Sequence, residues 1–184
     1  MSRPLRKDAA ERRTALLAAA AEVFAEEGLD APLETVADRA GVGRATLYRN
    51  FPDRTALALA VLLAEVDQLG ARTREQGDGP EVFFWFLDEL AQVVIRNAAM
   101  AGVLRGVRSI DALTPLRRKM AEAGAEPLAR AQAAGLVRDD IGPADIRILA
   151  ALLGAGFHGA DEAERRAVSR RTRALVLDGL RARP

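Results

Sequence analysis

No stretch of this chain alternates apolar and polar residues with period two over the length of a strand. Apolar positions recur every three to four residues instead, on a background dominated by alanine, leucine and arginine. These are strong helix formers. Aromatic residues supply only 4% of the 184 positions, and β-branched runs are nearly absent, so the pattern predicts an all-α protein. Apolar residues make up 49% of the chain, ample for a packed core.

Glycine and proline punctuate the pattern. A first helix is expected over about 8–27, with Leu16, Leu17, Ala20, Val23 and Phe24 at helical spacing and Gly28 as a left-handed stop. Short helices over 33–40 and 44–51 follow, separated by Gly41, Val42 and Gly43. Pro52 and Asp53 start a long helix reaching about Arg74. The run QGDGP, Gln76 to Pro80, is the clearest linker. Beyond it, helical pattern covers about 81–97, 101–109, 115–134, 143–159 and 161–181, with a kink or break expected at Gly124 and Pro127.

Several function classes fall away. There is no cysteine and one histidine, which excludes disulfides, thiolate chemistry and two-histidine metal motifs, so neither a metal nor a cofactor is expected. Serine is scarce, at Ser2, Ser109 and Ser169, and no nucleophile elbow surrounds either of the later two. Gly154 to Gly159 reads G-x-G-x-x-G, with Asp178 near the spacing of a ribose-binding acid. That motif requires a preceding strand, and small residues here instead favour close helix packing. No apolar region follows Arg3, Arg6 and Lys7, so no signal peptide is expected. The longest apolar runs, 56–64 and 148–157, are about half the ~20 residues of a membrane span. A cytoplasmic protein is expected.

Two short helices joined by a glycine-containing turn, after a longer first helix, outline a DNA-binding helix-turn-helix. Ala37 and Ala40 leave room for the crossing, Gly41 tolerates positive φ and Val42 plugs the turn. Leu47 and Phe51 are spaced for burial, while Arg44, Thr46, Arg49 and Asn50 fall elsewhere on the second helix with Tyr48 as an amphipathic anchor. Net charge is only +1, but its distribution is uneven. Residues 1–13 carry five basic and two acidic groups and residues 39–54 four basic and one acidic, whereas 22–38 carry six acidic and no basic groups. Basic charge thus gathers where a phosphate backbone would meet the reading helix.

The stretch Val36 to Leu57, VADRAGVGRATLYRNFPDRTAL, resembles the helix-turn-helix signature of the TetR family of bacterial transcriptional regulators. The first helix, with Ala19, Ala20, Phe24 and Gly28, is similar too, as is the turn Ala131 to Ile146, AQAAGLVRDDIGPADI. The resemblance implies a three-helix DNA-binding domain over 1–54, then a larger helical effector-binding and dimerisation domain over 55–184. It implies that Arg44, Ala45, Thr46, Tyr48, Arg49 and Asn50 meet bases and phosphates, and that Arg54 meets a phosphate at the start of the fourth helix. Gly43 stands where serine is frequent, Pro32 and Leu33 where threonine or serine is common, and Ala45 where glycine is common.

The resemblance further implies an apolar effector pocket among the middle helices. Its expected lining includes Leu62, Val66, Trp85, Phe86, Leu90, Met100, Leu104, Met120 and His158. A homodimer is expected through the last two helices, on stripes of Ile146, Leu149, Ala150, Leu153 and Phe157, then Ala167, Val168, Ala174, Leu175 and Leu177. The function so implied is a repressor of a palindromic operator, released by a small-molecule effector that favours a splayed dimer. A helical module whose DNA-reading surface has lapsed is the rival reading. Effector, operator sequence and regulated genes are not written in the chain.

Overall fold

The computed structural model describes residues 3–98, Met100, 111–154 and 162–182. It is all-α: α1 Arg3–Glu26, α2 Leu33–Arg39, α3 Arg44–Asn50, α4 Arg54–Glu75, α5 Val82–Arg96, α6 Thr114–Ala133, α7 Ile146–Gly154 and α8 Glu162–Leu180, with 3-10 turns at Asp111–Leu113 and Pro143–Asp145. The expected helix over 101–109 lies outside the described residues. Among the described residues no helix is long and apolar enough to cross a membrane.

The chain divides into two compact units. One takes in residues 3–64 with Met100; the other takes in 65–98, 111–154 and 162–182. The α4 helix runs through this division, and its first eleven residues, 54–64, belong to the first unit.

In the first unit, α1 buries Leu16, Ala19, Ala20, Val23 and Phe24. This i, i+3, i+4, i+7, i+8 series forms one continuous face. Gly28 then adopts φ 81°, a conformation an L side chain resists, and ends the helix. Helix α1 begins at Arg3, five residues before the expected start at about 8, since an apolar pattern that opens at Leu16 does not mark where the helix begins. Helix α2 packs on α1, and α3 on α2.

In the second unit, α5 buries Val82, Phe83, Phe86, Leu87, Leu90, Ala91 and Val93, so two sides of it are covered. It packs against α6 and α7, and α7 against α8. The Phe83 and Phe86 rings stack at 6.3 Å inside this core. Ion pairs join α4 to its neighbours: Arg72 to Glu89 at 2.8 Å, Glu65 to Arg96 at 3.3 Å, and Asp67 to Lys119. Arg173 of α8 grips both carboxylate oxygens of Asp88 on α5, and that hydrogen bond raises the Arg173 pKa against the opposing effect of partial burial. The backbone N–H of Arg138 donates to the Leu180 carbonyl at 3.0 Å, beside an isolated antiparallel bridge between Val137 and Arg181.

Three expectations need correction. Helix α6 does not break, although Pro127 lies inside it. Gly124, Pro127, Leu128 and Ala131 form its buried face, and packing on α5 and the Pro143–Asp145 turn holds the helix across the lost hydrogen bond. A Cβ at Gly124 would lie 2.3 Å from Ile146 Cδ1 and 2.8 Å from Phe86 Cε1. The glycine is there for close approach and not for flexibility. Likewise, the helix expected from 143 opens as a 3-10 turn, with Asp145 Oδ2 accepting from the Gly142 N–H at 2.9 Å, and becomes α-helical only at Ile146. The third concerns the last helices. Ile146, Leu149, Ala150 and Leu153 are buried in the chain's own core, and the large apolar side chains that α7 exposes are Ile148 at 43% and Leu152 at 47%. On α8, Val168 and Leu175 are exposed at 38% and 54%, while Val176 and Leu180 go inward and Leu177 packs on the core from its edge.

Candidate nucleic-acid interface

The functional surface is built on α2, the turn after it, and α3. Val36 and Ala37 are fully buried beneath the crossing. The chain then reverses through Gly41 at φ 65°, a left-handed conformation that glycine adopts without steric penalty. The Gly41 and Val42 N–H groups donate to the Asp38 and Ala37 carbonyls at 3.1 and 3.0 Å, which ties the turn back onto α2. Gly43 is the N-cap of α3 and supplies no side-chain cap; its carbonyl accepts from the Thr46 and Leu47 N–H groups.

Helix α3 is anchored on one side and open on the other. Leu47 is the one residue it buries fully, and Phe51 closes its end in the core. The Arg13 guanidinium lies 4.7 Å from the Phe51 ring centroid, a cation–π contact that fastens α1 to the end of α3. Arg44, Ala45, Arg49 and Asn50 are exposed, Tyr48 is 44% exposed, and Thr46 is half-buried. Within this exposed set, Arg49 Nη2 donates to Thr46 Oγ1 at 3.0 Å and Asn50 Nδ2 to the Thr46 carbonyl at 2.8 Å. Tyr48 OH donates to Glu34 Oε1 on α2 at 3.3 Å. These groups are oriented in the free protein, and the bonds are exposed enough for bases and phosphates to compete for them. A groove of about 440 Å³, lined by Glu11, Arg12, Ala15, Thr46 and the turn 40–43, lies alongside.

Two basic residues that the sequence places in the phosphate footprint are occupied within the protein. Arg39 Nη1 lies 2.7 Å from Glu26 Oε2 on α1, with Glu22 and Glu27 at 3.9 and 3.8 Å. The hydrogen bond to Glu26 raises its pKa, opposed by burial and reinforced by the three carboxylate charges. Arg54 is half-buried, and its Nη1 donates to the carbonyls of Leu29 and Ala31. A signal for the first was present: Glu22 and Glu26 share one face of α1 at i, i+4 spacing. Nothing in the sequence singles out the two carbonyls.

The expected pocket residues are distributed between the units. Leu62 and Met100 are buried in the first unit; in the second, Val66, Phe86 and Leu90 are buried while Trp85 and Met120 pack on the core from its edge. Leu104 and His158 lie outside the described residues, as does Phe157.

This geometry has known counterparts. Bacterial regulatory proteins of the tetR family match residues 16–61, and the C-terminal domain of SbtR-like transcriptional regulators matches residues 78–182, more than half of the chain. The chain belongs to the TetR family. It is therefore a transcriptional regulator with a DNA-binding helix-turn-helix, and not an enzyme. The TetR transcription regulatory protein from Mycobacterium vanbaalenii is 33% identical, with a TM-score of 0.68 over 97% of this chain and 100% of that one. A structure described as the molecular basis for control of antibiotic production by bacterial hormones is 25% identical, with a TM-score of 0.68 over 92% and 97%. The transcriptional activator FasR of Mycolicibacterium smegmatis is 46% identical over 66 residues, which span 35% of this chain and 30% of FasR.

Proposed function

We propose that this TetR-family protein is a ligand-responsive repressor of the cytoplasm that binds a palindromic operator as a homodimer and leaves it when a small-molecule effector binds. The observation that carries the reading is the polarity of α3: Leu47 is buried beneath it, while Arg44, Ala45, Tyr48, Arg49 and Asn50 are exposed together, with Thr46 half-buried among them. Arginine 44 or 49 suits a guanine edge and Asn50 an adenine edge, each worth ~1–3 kcal/mol of discrimination. Repression is favoured because it needs only occupancy of DNA. Activation needs a further specific contact, and the likeness to the activator FasR covers only 66 residues, 35% of this chain.

Dimerisation through the last two helices is supported by Ile148 and Leu152 on α7 and Val168 and Leu175 on α8, four exposed apolar side chains on consecutive helices. A two-fold arrangement buries the same patch of both copies and places two α3 helices on successive half-sites. The effector response is supported by the likeness to the structure described in terms of bacterial hormones. We place the effector in the second unit, where Trp85 and Met120 pack on the edge of the core that contains Phe86 and Leu90 and where Val66 is also buried. We take residues 1–54 as the DNA-reading part and 55–184 as the effector-binding and dimerising part, with the effector shifting the population toward the dimer that does not fit the operator.

The test is binding of Arg49→Ala and Asn50→Ala to duplexes that the wild-type protein enriches from a random pool. Each is expected to bind at least tenfold more weakly with the circular dichroism spectrum unchanged. Normal binding by both would remove α3 as the reading helix.

A further inference from the structure

Helix α2 enters the fold without a side-chain cap. Its N-cap is Pro32, at φ −57° and ψ 136°, and the only local substitute is the Thr35 N–H bonding to the Pro32 carbonyl at 3.0 Å. The connection before it, from Gly28 to Ala31, is closed by one long backbone bond, Ala31 N–H to the Gly28 carbonyl at 3.4 Å. No backbone N–H of the described residues reaches the Leu29 or Ala31 carbonyl. Both carbonyls accept instead from one guanidinium nitrogen, Nη1 of Arg54, more than twenty residues along the chain.

Arg54 is the first residue of α4, and its backbone is fixed there by the Asp53 carboxylate, which accepts from the Ala56 N–H at 2.8 Å. The side chain is half-buried and directed back at the α1–α2 connection. The two carbonyls take both N–H groups of Nη1, and withdrawing that nitrogen toward a phosphate would leave them without a donor among the described residues, which is penalised in a partly buried site.

We propose that Arg54 is a positioning residue of the DNA-binding unit: it locks the α1–α2 connection to the start of α4 and thereby sets how α3 is presented, in place of binding a backbone phosphate. The proposal rests on the DNA-binding reading. The path from clamp to reading helix is short. Fixing residues 29–31 fixes the start of α2, and α2 holds α3 through the Gly41 turn and through the hydrogen bond from Tyr48 OH to Glu34. The missing hydroxyl at position 32 and the clamp at position 54 belong together, since the arginine fixes the helix start that a cap would otherwise fix.

Lysine is the discriminating substitution. A phosphate is satisfied by a point charge, whereas bridging two carbonyls from a fixed backbone uses the length and directed N–H groups of a guanidinium. The full-length protein, Arg54→Lys and Arg54→Ala would be titrated with an enriched duplex across a range of potassium chloride concentrations, well below the unfolding temperature and with concentrations expressed as active protein. The proposal expects both variants to lose about tenfold or more in affinity at each salt concentration, with the slope of log affinity against log salt unchanged. A phosphate ligand would behave differently: the slope of Arg54→Ala would fall by ~0.9, and Arg54→Lys would bind as wild type. Either of those results overturns the proposal. A defect confined to stability would lower the unfolding midpoint and leave the affinity of the folded fraction intact, which also overturns it.

Wild-type protein gives a second reading that needs no variant. The side-chain nitrogen resonances of Arg54 are expected to keep their shifts when the duplex is added, and a shift to phosphate-bound values would refute the role even if both variants failed to fold. If wild-type protein enriches and binds no duplex, the DNA-binding reading fails and takes this role with it. If wild type binds and Arg54→Lys is unaffected, only the role of Arg54 fails.

Discussion

Gly124→Ala tests the packing of the second unit at its tightest point. The added Cβ would sit 2.3 Å from Ile146 Cδ1, 2.8 Å from Phe86 Cε1 and 3.0 Å from Phe86 Cζ. Carbon atoms pack at ~3.5–4.0 Å, so the isoleucine methyl must retreat by more than ~1 Å and the phenylalanine ring by ~0.7 Å. Both neighbours are fully buried, and the Phe86 ring is stacked on Phe83, so neither has free space to move into. Overpacking of this kind costs ~1–3 kcal/mol. Alanine in place of glycine returns up to ~1 kcal/mol through helix propensity. The net expectation is destabilisation by ~1–2 kcal/mol, which for a chain of this size lowers the melting temperature by ~2–8 °C. Thermal and urea unfolding at one fixed protein concentration measure it. A second substitution sharpens the test. Ile146→Val removes the Cδ1 that the new methyl strikes and alone costs ~0.5–1.5 kcal/mol. The double variant should therefore be more stable than the sum of the two losses predicts, by at least ~0.5 kcal/mol. A Gly124→Ala protein as stable as wild type, or strict additivity in the pair, would refute the close-approach argument.

Two further outcomes follow from the same geometry. Gly41→Ala should destabilise the first unit by ~1–2 kcal/mol through backbone conformation alone, since open space surrounds the position and φ is 65°; Gly41→Asn should recover much of the loss, and an alanine variant that unfolds like wild type would contradict the turn. Leu152→Asp and Leu175→Asp place charge on the exposed apolar surfaces of α7 and α8; sedimentation should then show monomers that keep their helix content, and an unchanged mass in both would move the dimer interface elsewhere.

The helix-turn-helix was legible in the sequence because nearly everything that makes it is local. Gly28 and Gly41 both take the left-handed conformation, as does Gly135 after α6, and the buried set on α1 has the spacing that its sequence shows. The second unit was legible in outline only. Proline and glycine inside α6 read locally as a kink or a break, and the helix does not break because partners on α5 and α7 fill its small-residue face. Which side of α7 is buried depends on α5, α6 and α8, and its short apolar run has hydrophobic residues on both sides, so periodicity cannot choose between Leu149 and Leu152. The partners of two arginines in the basic stretch were not legible for a similar reason. Arg39 and Arg54 count as free charges in a sequence tally, but folding brings one to Glu26 and the other to two carbonyls. Gly154, by contrast, behaves as its small size suggested: a Cβ there would strike Val94 Cγ1 at 2.5 Å.

The central claim is that α3 of a two-fold dimer reads a defined DNA sequence. The most direct measurement is enrichment of bound duplexes from a random-sequence pool, using purified full-length protein near physiological salt, where attraction to phosphates alone is weak. An inverted repeat is expected, with half-site centres one helical turn apart or a simple multiple of that. A folded protein that enriches no sequence, or a single half-site without symmetry, would contradict it.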